Sequence, residues 1–276
     1  MSLTRIAANI QAMNSLQSLK DVNKRMGVHQ TRLSTGRKIN SAADDPAGFA
    51  LARGLEARRR GLDVALQNVA NAKNILNVAE GGYQAQMDIL QTVKEKATQA
   101  ADHALSDAQR EAIDDQVTAL LDEIDDIEEE TTFNGNALID GSYSGNFQTG
   151  EGSSDQISVD LASSNSGSVG GNTDLSSIDL STAGGANTAI DDVSTAIDDL
   201  SSAIQDIGEY KVRLNSKETS LSTASTNTEA VRSSVEDADF AKEQMEVMKM
   251  QIMQQTALSS FSQANTSPQS VLSLFG

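Results

Sequence analysis

The sequence predicts a mainly α fold: long antiparallel coiled-coil helices forming a hairpin-shaped subunit, with a small β-hairpin region in the middle of the chain. Three observations predict it. Apolar residues recur every seven positions in two blocks, on either side of a Gly/Ser/Asn-rich centre. Aromatic residues make up only 3% of the 276, so the core must be aliphatic. There is no Cys and no Trp, and only Pro46 and Pro268 can interrupt a helix through their rings.

In chain order, residues 1–35 read as a modestly amphipathic helix, with Ile6, Ile10, Met13 and Leu16 on one face and weaker support from Val22, Met26 and Leu33. Gly36 breaks the pattern. Asp45-Pro46 then starts a new helix, because the carboxylate can cap free N–H groups and proline suits the first helical position. Over about 46–100, Leu55, Leu62, Val69, Leu76, Tyr83, Leu90 and Ala97 carry the seven-residue beat, with Ala65, Ala72 and Ala79 at the second seam position. Gly81-Gly82 is a weak point in this helix. A third helix, about 107–130, places Ile113, Val117, Leu120, Ile124 and Ile127 on one side, with an acidic outer face that ends in Glu128-Glu129-Glu130. Residues 131–188 read as loops and small hairpins, with alternation at Ile157-Ser158-Val159-Asp160-Leu161. Helix returns near 187 with Ile190, Val193, Ile197, Leu200, Ile204, Ile207, Leu214 and Leu221, and residues 222–234 are polar. The last amphipathic stretch has Ala241, Met245, Met248 and Ile252 on one face, followed by Leu258, Phe261, Leu272 and Phe275. The boundaries expected are 1–42 and 235–276 for an inner coiled-coil domain, 43–130 and 189–234 for a helical core domain, and 131–188 for a variable centre.

Charge is distributed as unevenly as hydrophobicity. The net charge is −18, which argues against coating a nucleic acid. Residues 1–60 carry 11 Lys/Arg against 4 Asp/Glu, the remainder carries 10 against 35, and no charged side chain follows Lys249. No apolar run reaches the ~18 residues of a membrane span, and the first residues lack the apolar core of a secretory signal, so export without signal cleavage or a cytoplasmic location is expected.

No catalytic, cofactor-binding or metal-binding constellation is found. His29 and His103 stand apart outside any metal spacing and read as solvated. Gly81-Gly82 and Gly184-Gly185 lack the strand–turn–helix setting of a phosphate loop. Asp114-Asp115, Asp125-Asp126 and Asp198-Asp199 are neighbours in sequence, so the two carboxylates of a pair diverge on a helix, and a solvated acidic face accounts for them. Arg58-Arg59-Arg60 reads as a solvated or ion-paired face. The terminal segments differ: isolated amphipathic helices are marginal in water, and a methionine stripe packs adaptably. We expect both ends to fold when they pack into an assembly. The residues expected to carry it are Ile6, Ile10, Met13, Leu16, Met245, Met248, Ile252, Leu258, Phe261, Leu272 and Phe275.

These segments resemble the bacterial flagellins. The stretch from Leu33 to Gly48 (LSTGRKINSAADDPAG), Val78-Ala79-Glu80-Gly81-Gly82, Thr132-Phe133-Asn134-Gly135, and Gln263 to Leu274 (QANTSPQSVLSL) match family signatures in the right order at both ends. The resemblance covers about 1–140 and 187–276. It implies a filament subunit for swimming motility, a short variable centre, terminal helices that order on polymerisation, and a location outside the cell. Implied partners are other copies of the chain, the flagellar export apparatus, an export chaperone and a filament cap protein. No cofactor, nucleic acid or membrane insertion is implied. In the Leu90–Gln99 segment, Thr92 replaces the usual Arg and Lys96 the usual apolar residue, and Gln116 stands where Glu is typical. Weak recognition by the innate Toll-like receptor follows. Rival readings are a hook–filament junction protein of the same superfamily, an intracellular coiled-coil adaptor, and an enzyme embedded in the centre.

Overall fold

The computed structural model describes residues 9–272, with side chains up to residue 266. Its elements are α1 (Ile10–Thr35), α2 (Pro46–Ala100), α3 (Asp107–Glu130), β1 (Thr132–Phe133), β2 (Asn136–Ala137), β3 (Ser144–Gln148), β4 (Gln156–Asp160), α4 (Ala183–Glu236) and α5 (Phe240–Leu272). The chain forms two compact units, one of Arg59–Thr226 and one of the residues up to Arg58 together with those from Asn227 onward.

In the Arg59–Thr226 unit, α2 and α4 run antiparallel: Asp63 accepts from Ser225 at 3.0 Å, Lys73 pairs with Glu218 at 2.8 Å, and Lys211 pairs with Glu80. The α2 seam is the expected one. Leu62, Val69, Leu76, Tyr83, Leu90 and Ala97 are buried, as are Ala65, Ala72 and Ala79. On α4 the seam differs from the expectation. Val193, Leu200, Ile207, Leu214 and Leu221 are buried, but their companions are Ala189, Ala196 and Ala203, while Ile190, Ile197 and Ile204 only flank the core. Small residues on both helices let the backbones approach, and a larger side chain is displaced to the flank. On α3, Leu121 and not Leu120 is buried with Ile113, Val117 and Ile124. Helix α4 begins at Ala183, earlier than its apolar pattern, and continues unbroken through the polar 222–234 stretch.

Helix ends are satisfied locally. Asp45 Oδ1 accepts from the N–H groups of Ala47 (3.1 Å) and Gly48 (3.0 Å) at the start of α2. At its other end the buried Arg110 donates from Nε to the Ala100 carbonyl (2.9 Å) and from Nη2 to that of Asp102 (2.7 Å). A cation is thereby placed against the negative end of the helix dipole. The β1–β2 turn is Asn134-Gly135, with φ of +52° and +79°, the two positive angles that a tight two-residue hairpin requires. In β4, Ile157 and Val159 turn inward and Gln156, Ser158 and Asp160 outward, as the alternation predicts.

The acidic pairs are the clearest correction. One carboxylate of each pair tethers the irregular 161–182 segment. Asp114 Oδ1 accepts from the Leu180 N–H (2.8 Å), Asp125 from the N–H (2.6 Å) and hydroxyl (2.8 Å) of Ser166, and Asp199 from the Thr173 hydroxyl (2.6 Å). Their neighbours Asp115, Asp126 and Asp198 are exposed. These ties hold a segment whose Val169, Leu175 and Leu180 are fully buried. Adjacent carboxylates thus diverge, as helix geometry demands, and one of each two meets backbone or hydroxyl donors instead of water.

The glycine pair of α2 also divides. Gly81 is exposed, and an added Cβ there meets nothing within 4 Å. Gly82 is buried, and its Cβ would lie 2.7 Å from Thr131 Oγ1 and 3.1 Å from Ile139 Cδ1. We expect Gly81→Ala to stabilise this unit by roughly 0.5–1 kcal/mol through helix propensity. Gly82→Ala should destabilise it by ~1–3 kcal/mol through overpacking. Urea unfolding of the two variants checks the opposite signs.

Candidate functional site

The other unit is built around α1 and α5. Helix α1 is capped by Asn9, whose side chain accepts from the Ala12 N–H at 3.0 Å, and ends at Gly36, whose φ of +71° lets its N–H reach the Arg32 carbonyl at 2.9 Å. Asp239 precedes helix α5 and accepts from the N–H groups of Ala241 (2.9 Å) and Lys242 (3.2 Å) in its first turn. The two helices are antiparallel and joined by polar contacts along their length. Asn9 Nδ2 donates to the Ala264 carbonyl (2.8 Å), Gln254 Nε2 donates to Asn23 Oδ1 (2.7 Å), and His29 Nδ1 lies 2.5 Å from Glu243 Oε2. Arg32 also approaches Glu243, at 3.6 Å. His29 is therefore not the solvated histidine expected, whereas His103 is exposed.

The seam between these helices is thin. On α1 the least exposed positions are Ala12, Ser15, Leu19, Val22, Met26, His29 and Leu33, and on α5 they are Glu243, Val247, Met250, Gln254, Ala257, Phe261 and Ala264. Both series follow alternating steps of three and four, the spacing of a coiled-coil seam, yet half their members are small or polar. Sequence reading had merged two faces of α1, because Val22, Met26 and Leu33 belong to this seam and Ile10, Met13 and Leu16 do not.

The second face is open. Ile10 is 58% exposed, Met13 67% and Leu16 37%; on α5, Met245 is 60%, Met248 48%, Ile252 66% and Leu258 58% exposed. Phe261 is half-buried in register with the seam. Ile6 and Phe275 lie outside the described residues, as does the side chain of Leu272, whose backbone ends α5. An open groove of about 410 Å³ runs between α1 and α5, lined by Gln11, Ser15, Ser18, Met253, Thr256 and Ser260.

One part of the unit was not read from the sequence at all. The connectors after α1 and α4 pair with each other: Arg37 and Asp237 form an antiparallel bridge, the Lys38 N–H donates to the Glu236 carbonyl (2.7 Å), and the Ala238 N–H donates to that of Gly36 (2.9 Å). Glu236 is buried beneath this bridge, between Arg37 Nη1 (2.9 Å) and Arg232 Nη1 (2.6 Å). The Glu229 and Glu236 carboxylates hold the Arg232 guanidinium even more firmly protonated than usual. The only signal available was a basic run, Arg37-Lys38, and an acidic one, Glu236-Asp237, some two hundred residues apart.

Nothing in this arrangement resembles a catalytic centre. Among the described residues, no three His, Asp or Glu side chains converge as metal ligands would, and no helix is long and apolar enough to cross a membrane. Two family models match the chain: the bacterial flagellin N-terminal helical region over residues 6–144 and the flagellin C-terminal helical region over 190–275. The chain is similar to flagellin FlaB1 of Treponema pallidum, 31% identical over 96% of this chain and 98% of that one. It is likewise similar to a flagellin of Bacillus subtilis, 33% identical over 98% of this chain and 99% of that one. A Vibrio parahaemolyticus structure assigned as a flagellar hook-associated protein shares the fold, with a TM-score of 0.60 and 14% identity over 70% of this chain and all of that one. Paired terminal helices, an aliphatic helical core and both family models thus agree: the chain belongs to the bacterial flagellin family, whose members are structural and not catalytic, and it is a subunit that polymerises into the flagellar filament.

Proposed function

We propose that polymerisation is driven by the outer faces of α1 and α5, with Ile10, Met13, Leu16, Met245, Met248, Ile252 and Leu258 packing against neighbouring copies. Ile6, Leu272 and Phe275 complete the apolar set, and Phe261, half-buried in the seam, supports it from within. The observation that carries this reading is the exposure, between 37% and 67%, of seven large apolar side chains on two helices that are already paired. Burying the exposed part of each contributes on the order of 1 kcal/mol. Seven together offset a substantial share of the roughly 4–15 kcal/mol that association costs. A seam in which half the positions are small or polar leaves the pair marginal by itself, so it orders fully only when neighbours cover it.

On this reading 1–42 and 235–276 form the inner coiled-coil domain of the filament, 43–130 and 189–234 its helical core domain, and 131–188 its short variable region. The subunit functions outside the cell, after passage through the flagellar export apparatus, with an export chaperone on its C-terminal helix and a cap protein at the growing tip. Thr92, Lys96 and Gln116 make it a weak ligand for the innate receptor.

Truncation after Lys249 tests the reading. We expect the shortened chain to keep the helical signal and thermal transition of its Arg59–Thr226 unit. Sedimentable filament should fall at least 100-fold under conditions where the full chain polymerises. Polymerisation of the truncated chain at the full-length rate would overturn the mechanism.

A further inference from the structure

Seven of the eight methionines lie in the terminal segments, leaving Met87 alone in the Arg59–Thr226 unit. Four of them, Met245, Met248, Met250 and Met253, fall within nine residues of α5. Their exposure divides them into two sets. Met13 (67%), Met245 (60%), Met248 (48%) and Met253 (41%) are open to solvent, and Met250 is 5% exposed. Met26 and Met87 are half-buried, Met26 in the α1–α5 seam and Met87 against the core of the other unit. Leucine would fill the same space, so the chain places an oxidisable atom four times where an inert one would serve.

We propose that Met13, Met245, Met248 and Met253 are a reversible oxidation site that controls assembly. Hydrogen peroxide is the oxidant: the thioether sulfur attacks one peroxide oxygen, the O–O bond breaks, and an S–O bond forms. The departing hydroxide takes the remaining proton as water, so sulfur loses two electrons and the peroxide gains them. The sulfoxide converts a flexible apolar side chain into a polar one. Placed on the outer faces of α1 and α5 (Met13, Met245, Met248) or in the open groove between them (Met253), it must be desolvated for a neighbouring copy to pack there, and an unpaired buried polar group is costly. The site rests on the assembly role proposed for these faces. Unassembled chain is the sensitive form. In a filament the same sulfurs are covered, and oxidation is slow.

The test treats full-length unassembled chain with hydrogen peroxide, locates sulfoxides by peptide mass spectrometry and follows polymerisation by light scattering. Met13, Met245, Met248 and Met253 should oxidise at least ten times faster than Met250. The treated chain should polymerise at least ten times more slowly, and methionine sulfoxide reductases with a dithiol should restore the original rate. A chain carrying Met13→Leu, Met245→Leu, Met248→Leu and Met253→Leu should polymerise at the same rate before and after peroxide. Two results overturn the proposal: treated chain with sulfoxide confirmed at the four positions that polymerises at the untreated rate, or a leucine variant as strongly inhibited by peroxide as the unsubstituted chain. Reductase rescue uses the unsubstituted chain and decides the matter even if the leucine variant folds poorly. Failure of the assembly reading is separate, because it shows as polymerisation of the Lys249-truncated chain in the absence of any oxidant.

Discussion

Replacing Gly170 with alanine lowers the stability of the Arg59–Thr226 unit by about 2–4 kcal/mol, the expected sum of two effects. Gly170 has φ of +62°, a conformation that costs a residue with a side chain roughly 1 kcal/mol or more. An added Cβ would also lie 2.6 Å from the Asp199 carbonyl carbon and 2.8 Å from its oxygen, which belong to the backbone of α4. A helix backbone cannot step aside as a surface side chain can, so the 161–182 segment must lift instead. That strains the Thr173–Asp199 hydrogen bond and the buried Val169. Chemical denaturation measures the loss. Gly171→Ala is the control for backbone strain, since its φ is +88° but its Cβ meets only Ala162 Cβ at 3.8 Å. Equal losses from the two variants would show that the close approach to α4 contributes nothing.

Glu243→Ala should open the α1–α5 pair. The Glu243 side chain is 10% exposed and accepts from His29, 18% exposed, with Arg32 at 3.6 Å. Arg32 Nε is already buried without a partner, so removing the carboxylate leaves two cationic or donor groups facing a site with no acceptor. Breaking such a contact costs about 2–3 kcal/mol. Half the seam positions are small or polar, so the apolar contacts that remain do not make up the difference. Amide exchange in the middle of α1 should accelerate by roughly 30–150-fold, the same free energy expressed as an opening constant, while exchange in α2 between Val69 and Leu90 stays unchanged. On the proposed assembly role of these faces, polymerisation should fall with it, because a paired α1 and α5 is what presents them. Unchanged exchange in α1 would show that the apolar seam alone holds the pair.

What could be read without coordinates follows from where the physics is local. The seven-residue beat of Leu62, Val69, Leu76, Tyr83 and Leu90, the Asp45-Pro46 start and the β4 alternation each depend on neighbours within a few residues, so spacing alone was enough. The same spacing failed wherever two faces of one helix were both apolar. On α4 it chose Ile190, Ile197 and Ile204 because they are large, although the positions buried in the core are Ala189, Ala196 and Ala203. On α1 it joined Ile10, Met13 and Leu16 to Val22 and Met26, although only the latter pair meets α5.

By itself, then, the sequence determined the helical class, the chain order of the elements and the family, because periodicity, caps, turn residues and signature motifs act over short stretches. The tertiary structure decided which apolar face is spent inside the chain and which remains exposed. It also decided which carboxylate of each pair tethers the 161–182 segment, that His29 meets Glu243, and that the Arg37 and Asp237 connectors pair. Each of these contacts joins distant residues or depends on how closely two backbones approach. Spacing along one helix contains no information about the helix opposite.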